Sequence, residues 1–526
     1  MAKKSPQKIT YVTLFADESI NPKYEVALAK FKSQLGRRYP MYIGKREVES
    51  DAGTFEHHSP IDTSVVVGSF QVGTREHARE AIAEAKAGFE LWSGTPWRER
   101  VRVLENAARV IDKRKFEIAV AITYEVGKNR LEALAEAWEA VDAIKYYSRL
   151  MKEHHGYEIK MGPGGPGEDC KLVSKPIGVW PVISPFNFPF MLASGMALGA
   201  LITGNSIILK PTSEAPLTGL MLYQVYREAG VPPGVVNYVT GPGGNFEEEF
   251  VSNPDVAGIA FTGSRDVGMR LFRGFMTSQP FPKPIILEMG SKNPTIVTAK
   301  ADLKKAVEGT VRAAYGYGGQ KCSATSRVYV QRKVSEKFIS AFLERIQKLR
   351  VGDPREKEVF MGPVINQAAV ERFETSVSEA VQAGGKVIAG GNVMRSGPTA
   401  NGFYVTPTVI TGLPSGHRLF KDELFVPLVV VDEFDSVDEA VAKANETEYG
   451  LTAGIFSENK VEVRKFFDGI KFGVVYANRS GGSTTGAWPG AQSFGGWNAS
   501  GATGRGVGGP HYLLNFLRDQ SQTNVR

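Results

Sequence analysis

The sequence predicts an α/β fold: two parallel-sheet domains in series, preceded by a helical region and an irregular crossing. Three observations carry this expectation. From residue 177 onward, short apolar runs alternate with helical stretches, the pattern of a parallel sheet covered by helices. Before residue 155 apolar residues recur at three- and four-residue spacings instead. Between the two, Met-Gly-Pro-Gly-Gly-Pro-Gly-Glu-Asp at 161–169 breaks all periodicity and reads as a turn-rich loop or a crossing between domains.

Taken in order, residues 76–92, 98–123 and 131–152 read as amphipathic helices, with Val101, Leu104, Ala108 and Ile111 on one face. Strand candidates follow at 179–184, 206–210, 235–240 and 258–262, with a helical stretch at 217–229 among them. A second series has strands at 284–288, 295–297, 327–330 and 429–432 and helices at 335–349 and 367–383. The glycine-rich stretch 481–509 carries too many aromatics and specific turns for a disordered linker, and no internal repeat is seen.

Composition narrows the class. A chain of 526 residues with 42% hydrophobic and 23% charged residues is long enough for several cores, and no apolar run is long enough to span a bilayer. The basic start Met-Ala-Lys-Lys-Ser-Pro-Gln-Lys lacks the apolar stretch of a secretory signal. Two cysteines, Cys170 and Cys322, argue against a disulfide scaffold and suit a reducing cytoplasm, and cysteine and histidine show no metal-ligand spacing. The net charge of +7, from 63 basic and 56 acidic side chains without a long basic block, points away from nucleic acid and toward anionic small molecules.

Cys322 is the most informative residue. It lies in Tyr-Gly-Gly-Gln-Lys-Cys-Ser-Ala, where small neighbours admit a substrate and backbone N–H groups to the sulfur, and where Lys321 and local dipoles would favour the thiolate. A buried small hydrophobe is the alternative. Glu288 ends the apolar run 284–287 and precedes Met289-Gly290-Ser291; there a carboxylate with a raised pKa can act as general base, or be a paired structural group. Asn187, in Ser-Pro-Phe-Asn-Phe-Pro, can donate to a developing oxyanion or cap the following helix. Lys210 ends a buried strand, where open α/β sheets present groups to a ligand crevice, or where a lysine is simply solvated. Gly263 and Ser264 sit where a strand turns into a helix, a place for a pyrophosphate or an ordinary turn.

Together these segments resemble the NAD(P)-dependent aldehyde dehydrogenase superfamily over nearly the whole chain, in the same linear order. Glu125-Val126-Gly127-Lys128, the segment 319–324 around Cys322 and the ending from Phe494-Gly495-Gly496 through Gly508-Gly509-Pro510-His511-Tyr512-Leu513 resemble its 1-pyrroline-5-carboxylate (glutamate-semialdehyde) dehydrogenase branch. The resemblance implies Cys322 as nucleophile, Glu288 as base, Asn187 as oxyanion donor and Lys210 as the adenosine-ribose lysine. It implies Gly263 and Ser264 as the pyrophosphate turn, Glu423 as the nicotinamide-ribose glutamate with Phe425 beside the ring, and Ser323 with Thr485, Gly486 and Ala487 as the anchor for a substrate α-carboxylate.

The implied activity is oxidation of L-glutamate 5-semialdehyde to glutamate in proline degradation, with NAD or NADP, through a cysteine thioester. A broad aliphatic-aldehyde enzyme, an enzyme acylating coenzyme A and a binding protein that has lost catalysis are the rivals. The implied architecture is an N-terminal arm (1–50), a Rossmann-like cofactor domain (51–155 and 176–285), a catalytic domain (286–494) and an oligomerisation element (156–175 and 495–526) making a homo-oligomer. Three positions depart from the family pattern. Ser291 replaces a glycine behind the base. Ser213 replaces a glutamate beside the adenosine 2′ position, which removes repulsion toward a 2′-phosphate and admits NADP. Ala491-Gln492-Ser493 lacks a customary proline.

Overall fold

The computed structural model describes residues 19–481, 489–502 and 505–526. Two seven-stranded sheets form the frame. The first runs in the order Ile285–Glu288, Ile259–Thr262, Val179–Ser184, Ser206–Pro211, Val236–Tyr238, Met41–Ile43 and Arg46–Val48. Its first five strands are parallel and its last two antiparallel. The second orders Lys386–Ala389, Thr408–Thr411, Leu428–Phe434, Thr325–Gln331, Asn293–Val297, Thr452–Phe456 and Val474–Ala477, parallel except for its first pair.

The central strands of both sheets are buried on both faces, which is why they read as continuous apolar runs. The helices Arg75–Gly94, Trp97–Val126 and Arg130–Glu153 lie where periodicity placed them. The last is buried on nearly every side, and several of its glutamates lie in the interior.

Three local readings are corrected. The region before residue 155 is mostly helical, as expected, but it also contributes strands Arg37–Tyr39, Met41–Ile43, Arg46–Val48, Thr54–Ser59 and Asp62–Gln71, which were not read from the sequence. Those at 37–48 are three residues long each and carry too few positions for alternation to register. The irregular stretch ends before Glu168, where the strand Glu168–Pro176 begins, so Glu168 and Asp169 lie in a strand with Cys170 rather than in the loop. That strand is central in an antiparallel three-stranded sheet between Glu158–Lys160 and the C-terminal Leu517–Val525. Strands 386–389, 408–411, 452–456 and 474–477 complete the second sheet beyond those the sequence predicts, and Ile285–Glu288, read with the second series, pairs instead with Ile259–Thr262 in the first.

At Gly88 the helix Arg75–Gly94 touches the turn before Val236–Tyr238 so closely that a β-carbon would lie 2.5 Å from Gly234 C and 2.6 Å from Val235 N. Gly88→Ala is expected to lower stability by about 1–3 kcal/mol through overpacking against unyielding backbone. Urea unfolding should show this as a lower midpoint at an unchanged m-value.

Candidate active site

In the first sheet the chain runs outward from Val179–Ser184 through Ser206–Pro211 to Val236–Tyr238, then returns to the other side of Val179–Ser184 as Ile259–Thr262. A crevice forms beyond the carboxyl ends of strands at such a switch point. Here it is a cleft of about 660 Å³ that receives Asn187, Lys210, Ser213, Gly263, Ser264, Cys322, Glu423 and Phe425 together.

Lys210 ends its strand buried, with Nζ donating to Pro211 O at 2.9 Å and lying 5.7 Å from the centre of the Phe246 ring. Burial lowers its pKa to about 8. Gly263 follows Ile259–Thr262 and donates its N–H to Glu288 O. Ser264 caps the helix Arg265–Ser278 by accepting from Val267 N, and the first amides of that helix have no intrahelical acceptor. A positive helix end, a lysine and dinucleotide-scale space fit a pyrophosphate-bearing cofactor.

The strand Ile285–Glu288 brings Glu288 to the rim of the same sheet. Its carboxylate is turned toward the backbone N–H of Gly496, Oε2 has no partner among the described residues, and burial raises its pKa to about 8. The main chain then enters the second sheet at Asn293. Ser291 is engaged with the second sheet and with Glu423: its Oγ accepts from Leu451 N at 3.2 Å and its N–H donates to Glu423 Oε1 at 2.7 Å. Gly290 leaves the space that the Glu423 carboxylate occupies: a β-carbon there would lie 2.0 Å from Glu423 Oε2 and would displace that side chain. Burial raises the Glu423 pKa to about 7, opposed by the Ser291 N–H, Lys292 and Arg372. Phe425, at φ 60°, sets its ring edge-on to Phe186 with centroids 5.8 Å apart.

Cys322 follows a left-handed run at Tyr317, Gly318 and Gly319. Only glycine fits at 319, where a β-carbon would meet Val426 O at 2.6 Å. Asn293 Nδ2 donates to Cys322 O at 2.6 Å and Ala324 O at 2.8 Å, locking the backbone on either side of Ser323. The expectation that Lys321 favours the thiolate is overturned. Lys321 Nζ binds Glu132 Oε1 at 2.7 Å, while burial, then Glu423 and Glu288, push the Cys322 thiol up to about 12 against the pull of the local N–H groups.

Asn187 is buried in the turn before the helix Met191–Thr203 and has no hydrogen-bond partner among the described residues. It does not cap that helix, because Glu136 Oε1 accepts from Phe190 N and Met191 N instead. The amide is left for the cleft. Ser323 is buried beside Cys322, with its carbonyl accepting from Thr452 Oγ1. Thr485, Gly486 and Ala487 lie outside the described residues. Ser493, at the missing proline, approaches Gly506 O at 3.5 Å, and Phe494 and Val507 form a bridge beside it.

Sequence reasoning missed Asn293 and Glu136, which act on the backbone of Cys322 and of the Asn187 turn, and Arg372, which lines the cleft and donates to Leu424 O. Asn293 was within reach of the Glu288 motif. Glu136, on a helix read only for its apolar stripe, gave no signal.

A Rossmann-like sheet whose crevice opens onto a cysteine of a second α/β domain defines a two-domain oxidoreductase. A model described as the aldehyde dehydrogenase family matches residues 48–521, and the chain belongs to that family. Among its relatives, 1-pyrroline-5-carboxylate dehydrogenase of Geobacillus sp. (strain WCH70) is 36% identical over 527 residues, covering 99% of both chains. 1-Pyrroline-5-carboxylate dehydrogenase 2 of Bacillus subtilis (strain 168) is 35% identical over 522 residues, covering 98% of each. The structure of 1-pyrroline-5-carboxylate dehydrogenase from Thermus with bound NAD superposes with a TM-score of 0.93 at 32% identity over 100% of both chains. Betaine aldehyde dehydrogenase of Staphylococcus aureus in complex with NAD+ gives 0.89 at 28% identity, covering 95% of this chain and 97% of that one.

A thiol titrating at about 12 is deprotonated roughly tenfold more for each pH unit gained across the neutral range. In a Cys170→Ser variant without cofactor, iodoacetamide alkylation of Cys322 is expected to rise about tenfold per unit from about pH 7 to about pH 10 without a plateau. A plateau near pH 8 would mean a stabilised thiolate in the resting site.

Proposed function

We propose that the chain oxidises L-glutamate 5-semialdehyde, the open form of 1-pyrroline-5-carboxylate, to glutamate with NAD or NADP. The observation that carries the chemistry is the meeting of Cys322 and Asn187 in the cleft that also holds Lys210, Gly263, Ser264 and Glu423, with Glu288 on the strand beneath. The full-length likeness to dehydrogenases named for 1-pyrroline-5-carboxylate supports the substrate.

In this reading Lys210 and Glu423 hold the two riboses, the Gly263–Ser264 turn the pyrophosphate, and Phe425 flanks the nicotinamide. Ser213, neutral and in the cleft, leaves room for a 2′-phosphate. The bound nicotinamide supplies the hydride acceptor. Cys322 Sγ, once deprotonated, bonds to the aldehyde carbon, and the Asn187 amide with the Cys322 N–H holds the oxygen that becomes negative. Hydride loss from that carbon leaves a thioester on Cys322. Glu288, turning from Gly496, takes a proton from the water that attacks the thioester, which releases the acid and restores the thiol. Ser323 with Thr485, Gly486 and Ala487 would bind the α-carboxylate.

We also infer a homo-oligomer. The strand Leu517–Val525 is an edge of its sheet, and Ile159 and Val525 of the same sheet are exposed, as is Met161 just after the strand Glu158–Lys160, a surface suited to continuation by a second copy. Among the described residues no helix is long and apolar enough to cross a membrane.

Glu288→Gln should form the thioester but hydrolyse it slowly, giving a stoichiometric NADH burst followed by weak turnover. Absence of both the burst and an acyl adduct by mass spectrometry would reject the assigned order of steps. Thr485→Ala should lower kcat/KM for glutamate semialdehyde by roughly 10- to 100-fold, one hydrogen bond to a charged group, and leave propanal little affected. Equal losses for both aldehydes, or a parent enzyme that prefers propanal, would favour a broad aliphatic-aldehyde enzyme.

A further inference from the structure

The helix Arg130–Glu153 carries a buried charge cluster that touches both halves of the catalytic constellation. Glu132, Glu136 and Glu139 lie on one face at spacings of four and three residues, all at most 9% exposed. Glu136 Oε1 accepts from the amides of Phe190, at 2.7 Å, and Met191, at 3.0 Å, which fixes the start of the helix that follows Asn187. Its Oε2 pairs with Lys128 Nζ at 2.6 Å, both side chains fully buried. Glu132 Oε1 pairs with Lys321 Nζ at 2.7 Å, and Lys321 is the residue before Cys322. The Phe188 ring, next to Asn187, is wedged between them, with Lys128 Nζ 3.4 Å and Lys321 Nζ 5.9 Å from its centroid.

Two loops from different domains are thus fastened to one rigid helix by charge-assisted bonds, where water cannot compete. A buried ion pair is a poor source of net stability, since desolvating both charges offsets their attraction. It is a good source of geometry. We propose that Glu136 and Lys128 are positioning residues for Asn187: they set the place of the oxyanion donor relative to the Cys322 sulfur, with the Lys321–Glu132 pair holding the sulfur side. The proposal rests on the reading of Cys322 and Asn187 given above and adds the part of the chain that fixes their separation.

Oxyanion stabilisation is needed when the thiol adds to a carbonyl and is not needed when it displaces iodide from iodoacetamide, so the two reactions separate position from thiol reactivity. The parent, Glu136→Gln and the doubly neutral Lys128→Met/Glu136→Gln are compared for the rate of the NADH burst, for alkylation of Cys322 and for the dissociation constant of NAD+ by fluorescence. The double variant removes both charges, so no ion is left unpaired if Glu136→Gln alone does not fold. The expected result is a burst slowed roughly 10- to 100-fold, as for a displaced catalytic group, with alkylation and NAD+ binding within about twofold of the parent. A parent-like burst in a folded variant, or burst and alkylation falling in parallel, overturns the proposal. Absence from the parent enzyme of an acyl adduct on Cys322, sought by quenching and mass spectrometry, would instead reject the thioester reading itself.

Discussion

Over residues 288–293 the main chain leaves one sheet and enters the other, and this short crossing constrains the rest of the site. Glu288 is the last residue of the first sheet and Asn293 the first of the second. Between them Gly290 leaves the space that the Glu423 carboxylate fills, and the Ser291 N–H holds that carboxylate. Asn293 then reaches across to the backbone around Cys322. Glu288, Glu423 and Cys322 are all referred to one stretch of backbone whose own position is fixed by strand pairing on both sides. A site assembled from two domains needs such a common reference, because an error of an ångström between reacting groups is costly in rate.

The electrostatics follow from burial more than from neighbouring charge. Glu288, Glu423 and Cys322 all have desolvation as the leading cause of a raised pKa, and Lys210 has it as the cause of a lowered one. Each is thereby moved toward its neutral form in the resting site.

Legibility in the sequence tracked how far each signal reached along the chain. The parallel sheets showed as apolar runs because their strands are buried on both faces, and the long helices showed as stripes. Strands of three residues at 37–48 showed nothing. Cys322, Glu288, Asn187 and Lys210 stood out because each ends an apolar or irregular run with a reactive group. Their supports did not: Glu136 and Lys321 are charged residues whose burial comes only from tertiary packing, and a lysine beside a cysteine suggested an activated thiolate until its partner was seen to be Glu132.

The protonated state of Cys322 also bears on how the protein survives oxidants. Peroxide attacks the thiolate, not the thiol, and a group pushed up to about 12 exposes a thiolate fraction on the order of 10⁻⁵ at pH 7. The Cys322 thiol is therefore held in its less reactive form. A fold that withholds the charge from its cysteine limits both the unproductive reaction and the lesion, a sulfenic or sulfinic acid, that would follow from displaying it.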